Sequence, residues 1–195
     1  MSRKILLLTG DGGDSYEVLY AYQRFLEARW EPVIAAPSRR LLHLMIHDRE
    51  PGWSTYVERP GHLMDADVAV TAVAAKEFAA LMILGGRAPE YLRNDTSVLA
   101  LCREFAEQDK YICAIGHGVQ LLTAAGLISG RTVTGHEHIQ IEVERSGGNY
   151  VAKPAVRDGK FITAQTWRCH PEFYREVFSC LGEVSRGASM RQESR

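Results

Sequence analysis

The stretch Ile112-Cys113-Ala114-Ile115-Gly116-His117-Gly118-Val119-Gln120-Leu121-Leu122 decides the fold. A short apolar run ends at Ile115, a Gly-His-Gly turn follows, and a helical pattern begins at once. That order is the grammar of a nucleophile elbow, a tight strand-to-helix turn that lifts one side chain into a pocket. The position that should carry the reactive atom is Gly116, which has no side chain. Glycine takes the strained backbone of such a turn at little steric cost. On this local pattern alone, an ordinary Gly-x-Gly turn reads the same way.

Outward from the elbow, strand and helix signals alternate. Lys4–Leu8, Glu31–Ala36, Phe78–Leu84 and Tyr111–Ile115 read as buried strands, and Ser15–Arg29, Thr96–Gln108 and Gln120–Ala125 as helices. Asn94-Asp95 supplies capping residues for the second of those helices. Residues 38–62 follow no simple pattern; Trp53–Glu58 reads as part of a hairpin, and Val68–Val73 as a strand or a short helix. Further on come a short strand at Arg131–Thr134, a helix at Gln140–Ser146, a hairpin of Tyr150–Val156 with Lys160–Ala164, and a last helix at His170–Leu181. Alternation with apolar strands predicts an α/β fold, a three-layer αβα sandwich around a mainly parallel sheet. The expected domain spans 1–183, with 184–195 as a polar, disordered tail.

Length and charge narrow the function classes. One domain is the natural expectation for 195 residues. A net charge of −1 gives no strong pull toward nucleic acid or an anionic membrane. No apolar run reaches a membrane span, and the N-terminal run is too short for a signal peptide. The four cysteines (Cys102, Cys113, Cys169 and Cys180) form no C-x-x-C pair and read as reduced thiols of a cytoplasmic protein.

Ligands of parallel sheets bind beyond the carboxyl ends of the strands. Three loops fall there, Gly10–Glu17, Gly85–Glu90 and Gly116–Gly118, so one pocket is expected from the three. His117 is a candidate general base or orienting donor. Glu17 is either a helix-start acid that complements the macrodipole or a carboxyl aimed into the pocket. Gly85 and Gly86 leave backbone N–H groups available to an oxyanion or carbonyl oxygen, with Gly118 beside the turn. Glu90 is either a solvated charge or a partner that orients a histidine.

These motifs resemble the ThiJ/PfpI superfamily, within the class I glutamine amidotransferase-like, flavodoxin-like architecture. The specific pieces are Ile83-Leu84-Gly85-Gly86-Arg87-Ala88-Pro89-Glu90-Tyr91-Leu92-Arg93 and the elbow itself. The elbow is similar to the family's Ala-Ile-Cys-His-Gly-Pro-Gln-Leu-Leu, with Gly116 in place of the cysteine and Val119 in place of a proline. Val156–Ala164 and His170-Pro171-Glu172-Phe173 look like the family's late hairpin and last helix, and the segment around His47, Tyr56 and His62 is similar to a branch with plant glyoxalase-like members. The resemblance implies a nucleophile position at 116, a histidine at His117, an acidic helper at Glu17, and a Glu90 that reaches the histidine of a neighbouring subunit. It also implies an oxyanion hole of backbone N–H groups near Gly86 and His117, self-association as a dimer or hexamer, and no cofactor. Family activities are glyoxalase, deglycase, amidase and peptidase, all ascribed to the cysteine.

Four functional readings follow. The chain has lost cysteine chemistry and binds a small carbonyl or carboxylate metabolite. Alternatively, His117 activates a water in the space left at Gly116, with Glu90 or Glu17 assisting. A third reading is a glyoxalase, deglycase or amidase-type enzyme whose cysteine was mutated to Gly116. The fourth is a metal site, with His136 and His138 on one face of an extended segment joined by His170 or His117; the alternative there is pocket-rim histidines and no metal.

Overall fold

The computed structural model describes residues 3–192, with side chains up to residue 182. Its centre is a seven-stranded sheet. The strands in chain order are β1 (Lys4–Leu8), β2 (Glu31–Ala36), the outlying hairpin strands β3 (Leu41–Asp48) and β4 (Val57–Asp65), β5 (Val68–Ala69), β6 (Ala80–Ile83) and β7 (Tyr111–Ile115). A small pair, β8 (Thr132–Val133) and β9 (Asn149–Tyr150), precedes β10 (Ala155–Asp158) and β11 (Phe161–Ala164). The central order is β10-β11-β7-β6-β1-β2-β5, with every pairing parallel except β10 with β11.

Helices cover both faces: α1 (Ser15–Glu27), α2 (Ala88–Leu92), α3 (Thr96–Glu107), α4 (Val119–Ala124), α5 (Gln140–Arg145) and α6 (His170–Gln192). Successive side chains on β1 part to the two faces, as a pleated strand requires. Ile5 and Leu7 pack with Val18 and Phe25 of α1 and Phe173 and Val177 of α6. Leu6 and Leu8 join Val98, Leu101 and Phe105 of α3 and Leu121 of α4. Two apolar layers thus sandwich one sheet, the expected αβα arrangement.

Several local expectations are corrected. The irregular segment 38–62 holds a long antiparallel hairpin, β3 with β4, whose register breaks at a bulge between His43 and Met45. Trp53–Tyr56 is loop, and the second strand starts at Val57. Val68–Val73 is both things in turn, strand β5 and then a 3-10 turn at Val70–Ala72. Tyr150 pairs with Val133 in β9 and β8, so the late hairpin begins only at Ala155. The backbone of α6 runs on to Gln192 where a tail was expected. Side chains beyond residue 182, and residues 193–195 altogether, lie outside the described residues.

Candidate active-site cavity

The elbow forms as its sequence demands. β7 ends at Ile115, a 3-10 turn covers Gly116–Gly118, and α4 starts at Val119. Gly116 has φ +59°, the left-handed region in which a side chain is strained. A Cβ built there would stand 3.3 Å from Glu17 Oε1 and 3.7 Å from the Gln165 carbonyl oxygen. Residue 116 therefore looks straight at the Glu17 carboxyl. Gly118 is small for another reason: a Cβ would press on the Ile83 carbonyl of β6.

Glu17 stands in the first turn of α1. Asp14 caps that helix, its Oδ1 accepting the Glu17 N–H at 2.9 Å. The Glu17 carboxyl is buried, and Oε2 accepts the Gly85 N–H at 2.7 Å. Burial, and then the neighbouring Asp14 carboxylate, push its pKa well above the ordinary glutamate value; the Gly85 bond opposes them and loses. Burial thus favours the protonated form of Glu17 more than an exposed glutamate would. Oε2 is held by the Gly85 N–H, and Oε1 is the atom that faces residue 116.

Three imidazoles line the opposite wall. His117 stacks on His136 with centroids 4.6 Å apart and rings inclined 20°, and His138 meets His136 edge-on at 4.6 Å. His136 Nδ1 accepts the His138 N–H at 3.2 Å, so the proton sits on Nε2 and is donated to the Tyr56 oxygen at 2.7 Å. Burial lowers the pKa of both His117 and His136 to about 4, reinforced by mutual repulsion among the rings. Both are neutral at pH 7.

A fourth imidazole enters from β3. His47 Nδ1 donates to Asp14 Oδ2 at 3.0 Å, and its Nε2 lies 3.6 Å from Glu58 Oε1. Asp14 therefore serves twice, as helix cap and as the orienting partner of a buried histidine. At the rim, Arg87 donates to Glu58 at 3.1 Å and to Glu90 at 3.0 Å.

The cavity, open at the rim, measures about 470 Å³. Of the residues expected from sequence, Glu17, Gly86, Glu90, Gly116 and His117 line it. Gly85 does not, since its N–H is held by Glu17. Gly118 packs against β6. Gly86, at φ +79°, faces the cavity where its backbone crosses that of Gly13 and Asp14, so no side chain fits. Glu90 binds Arg87 of its own chain.

Comparison with known proteins assigns this assembly. The DJ-1/PfpI family profile matches residues 3–179. The chain belongs to the DJ-1/PfpI family. It is 32% identical over 188 residues to Protein DJ-1 homolog D of Arabidopsis thaliana, covering 93% of this chain and 48% of that relative. It thus spans about half the length of that protein. It is 29% identical over 183 residues to Protein/nucleic acid deglycase 2 of Escherichia coli, covering 93% of this chain and 99% of the relative. Among solved structures, Schizosaccharomyces pombe DJ-1 superposes with a TM-score of 0.74 at 22% identity, covering 90% of each chain. A ThiJ/PfpI domain protein from Brachyspira murdochii gives 0.80 at 20%, covering 93% of this chain and 98% of that one. These two share the fold.

Within the DJ-1/PfpI frame, several wall residues escaped the sequence reading as members of one pocket, among them His47, Tyr56 and Glu58. These three lie in the segment with no clear periodicity; Asp14 falls in the first of the three expected loops but was not singled out. His136 and His138 were legible only as metal candidates. His136 caps a 3-10 turn at Glu137–Ile139 and His138 lies within it, so the two do not share an extended segment, and both His136 nitrogens are engaged. His170 is elsewhere, buried under α1 and stacked on Tyr20 at 4.4 Å. Among the described residues no three His, Cys, Asp or Glu side chains are grouped for a metal ion. No thiol lines the cavity. Cys113 is buried in β7 with its pKa raised by burial, out of the range of a thiolate nucleophile.

Proposed function

We propose that this DJ-1/PfpI chain binds a small carbonyl compound in the cavity above Gly116 and holds it without a covalent thiol adduct. The supporting observation is the facing pair: a glycine in the elbow, and a buried carboxyl, its pKa raised by that burial, directed at the place its side chain would occupy. A protonated carboxylic acid donates to a carbonyl oxygen, whereas an ionised one repels it. The N–H groups of Gly86 and His117 are proposed as further donors to that oxygen. Protein/nucleic acid deglycase 2 bears the name of an enzyme; for this chain, thiol-dependent turnover is proposed to be absent for want of the sulfur.

Calorimetric titration with methylglyoxal tests the reading, with intact-mass measurement alongside. Saturable binding with unchanged protein mass is expected. No binding, or a mass gain centred on any cavity residue, contradicts it. Glu17→Gln should weaken binding by about ten-fold, the loss of one strong donor.

A second reading draws on one further observation. His117 is neutral and so keeps a basic lone pair at pH 7. A water in the space beside Gly116 then becomes a hydrolytic nucleophile with His117 as base. Ester or aldehyde turnover abolished by His117→Ala would favour this reading; turnover unchanged in that variant removes it.

A further inference from the structure

A second cavity of about 260 Å³ adjoins the first. Tyr56, His136, Gln165, Thr166 and Trp167 line both. The two cavities differ in charge. The main cavity carries the acidic side chains of Asp14, Glu58 and Glu90, with Arg87 as its one guanidinium. The second carries two guanidiniums, Arg49 and Arg168, against one carboxylate, Glu137.

The two arginines are not equivalent. Arg49 donates to Glu137 at 2.8 Å and lies over the Tyr56 ring. Arg168 lies over the Trp167 ring, 5.2 Å from its centroid, and makes no ion pair among the described residues. The cavity also sits where α6 begins, with Arg168 and Cys169 directly before His170. The positive end of a 23-residue helix adds to the same field. A guanidinium with no ion pair in a concave site is a fork for carboxylate or phosphate oxygens.

We propose that the second cavity is a subsite for the anionic end of the ligand, so that the preferred ligand is a carbonyl compound bearing a carboxylate or phosphate group. The carbonyl end lies above Gly116, facing the Glu17 carboxyl, where the carboxylates of Asp14, Glu58 and Glu90 repel anions. The anionic end reaches Arg168. This deepens the reading given above and rests on it for the carbonyl end alone.

The test compares matched pairs by calorimetry: glyceraldehyde with glyceraldehyde 3-phosphate, and butanal with succinic semialdehyde. Succinate and inorganic phosphate serve as anions without an aldehyde. The charged member of each pair should bind about ten-fold tighter, the effect of one charge-assisted fork. Arg168→Glu should erase that preference and leave the affinity for the neutral aldehyde unchanged. Arg168→Lys should keep part of it. Arg168 is exposed, so an unchanged melting temperature is expected in both variants. Equal binding of charged and neutral members, or a preference untouched by Arg168→Glu, overturns the subsite. If no aldehyde binds while succinate or phosphate binds in an Arg168-dependent way, the subsite stands and the carbonyl reading fails.

Discussion

At the scale of single residues, the site turns on two side chains, one absent and one buried. Gly116 was legible in the sequence because an elbow is a local motif; its φ of +59° follows from that motif. The state of Glu17 was not legible. It depends on Gly85, which reaches it from another part of the chain, on the helix cap Asp14 beside it, and on burial that only the assembled fold supplies. Gly116→Cys should fold at a cost of about 1–3 kcal/mol for a side chain with positive φ, read as a lowered melting temperature. The same variant should gain thiol-dependent methylglyoxal turnover, since its sulfur would meet the Glu17 acid. A folded Gly116→Cys protein with no turnover would mean that the cavity has lost more than the sulfur. His136 gives a pH prediction. Its folded pKa of about 4 lies below the ordinary 6.5, so the unfolded chain binds the extra proton first. The stability it contributes is whole above pH 6.5 and is lost as pH falls from 6.5 through 4, on the order of 3 kcal/mol in all. His136→Asn should flatten that acid limb in urea titrations. Glu17 has the opposite sign: its raised pKa stabilises fully below 4.5 and fades as pH rises through its folded value.

At the scale of elements, the parallel strands were readable and the hairpin was not. β1, β6 and β7 are buried on both faces and appear as unbroken apolar runs. The hairpin of β3 and β4 has an alternation broken by its bulge, and β4 is mostly exposed and polar. That hairpin and its loop carry His47, Tyr56 and Glu58 to the cavity, so missing it hid part of the wall. One of its links to the core is Asp14, which caps α1 and holds His47. Asp14→Ala should cost about 1 kcal/mol for the cap and a further ~1–3 kcal/mol for an imidazole N–H buried without an acceptor. Asp14→Asn keeps the cap and should cost less. Chemical denaturation of the two variants checks the order; equal losses would mean that the link to His47 contributes nothing.

At the scale of the whole molecule, alternation of strand and helix predicted the sandwich, and the family profile spans most of its length. The late hairpin expected from sequence is the antiparallel pair β10 and β11, but chain order did not reveal that β8 and β9 pair outside the central sheet. Those two strands are two residues each and carry little sequence signal. The outer face of the hairpin exposes Leu41, Ile46 and Leu63, from 38% to 56% accessible. Self-association, proposed as a dimer or hexamer, would cover such a patch. Leu63→Lys combined with Leu41→Lys should lower the mass seen by light scattering, without altering methylglyoxal binding. An unchanged assembly would place any contact elsewhere on the surface.

The most direct measurement is a crystal of the unaltered chain soaked in methylglyoxal. The account predicts ligand density above Gly116, its carbonyl oxygen within hydrogen-bonding distance of Glu17 and no bond to any protein atom. An empty cavity at saturating ligand, or a ligand covalently joined to the chain, would contradict it.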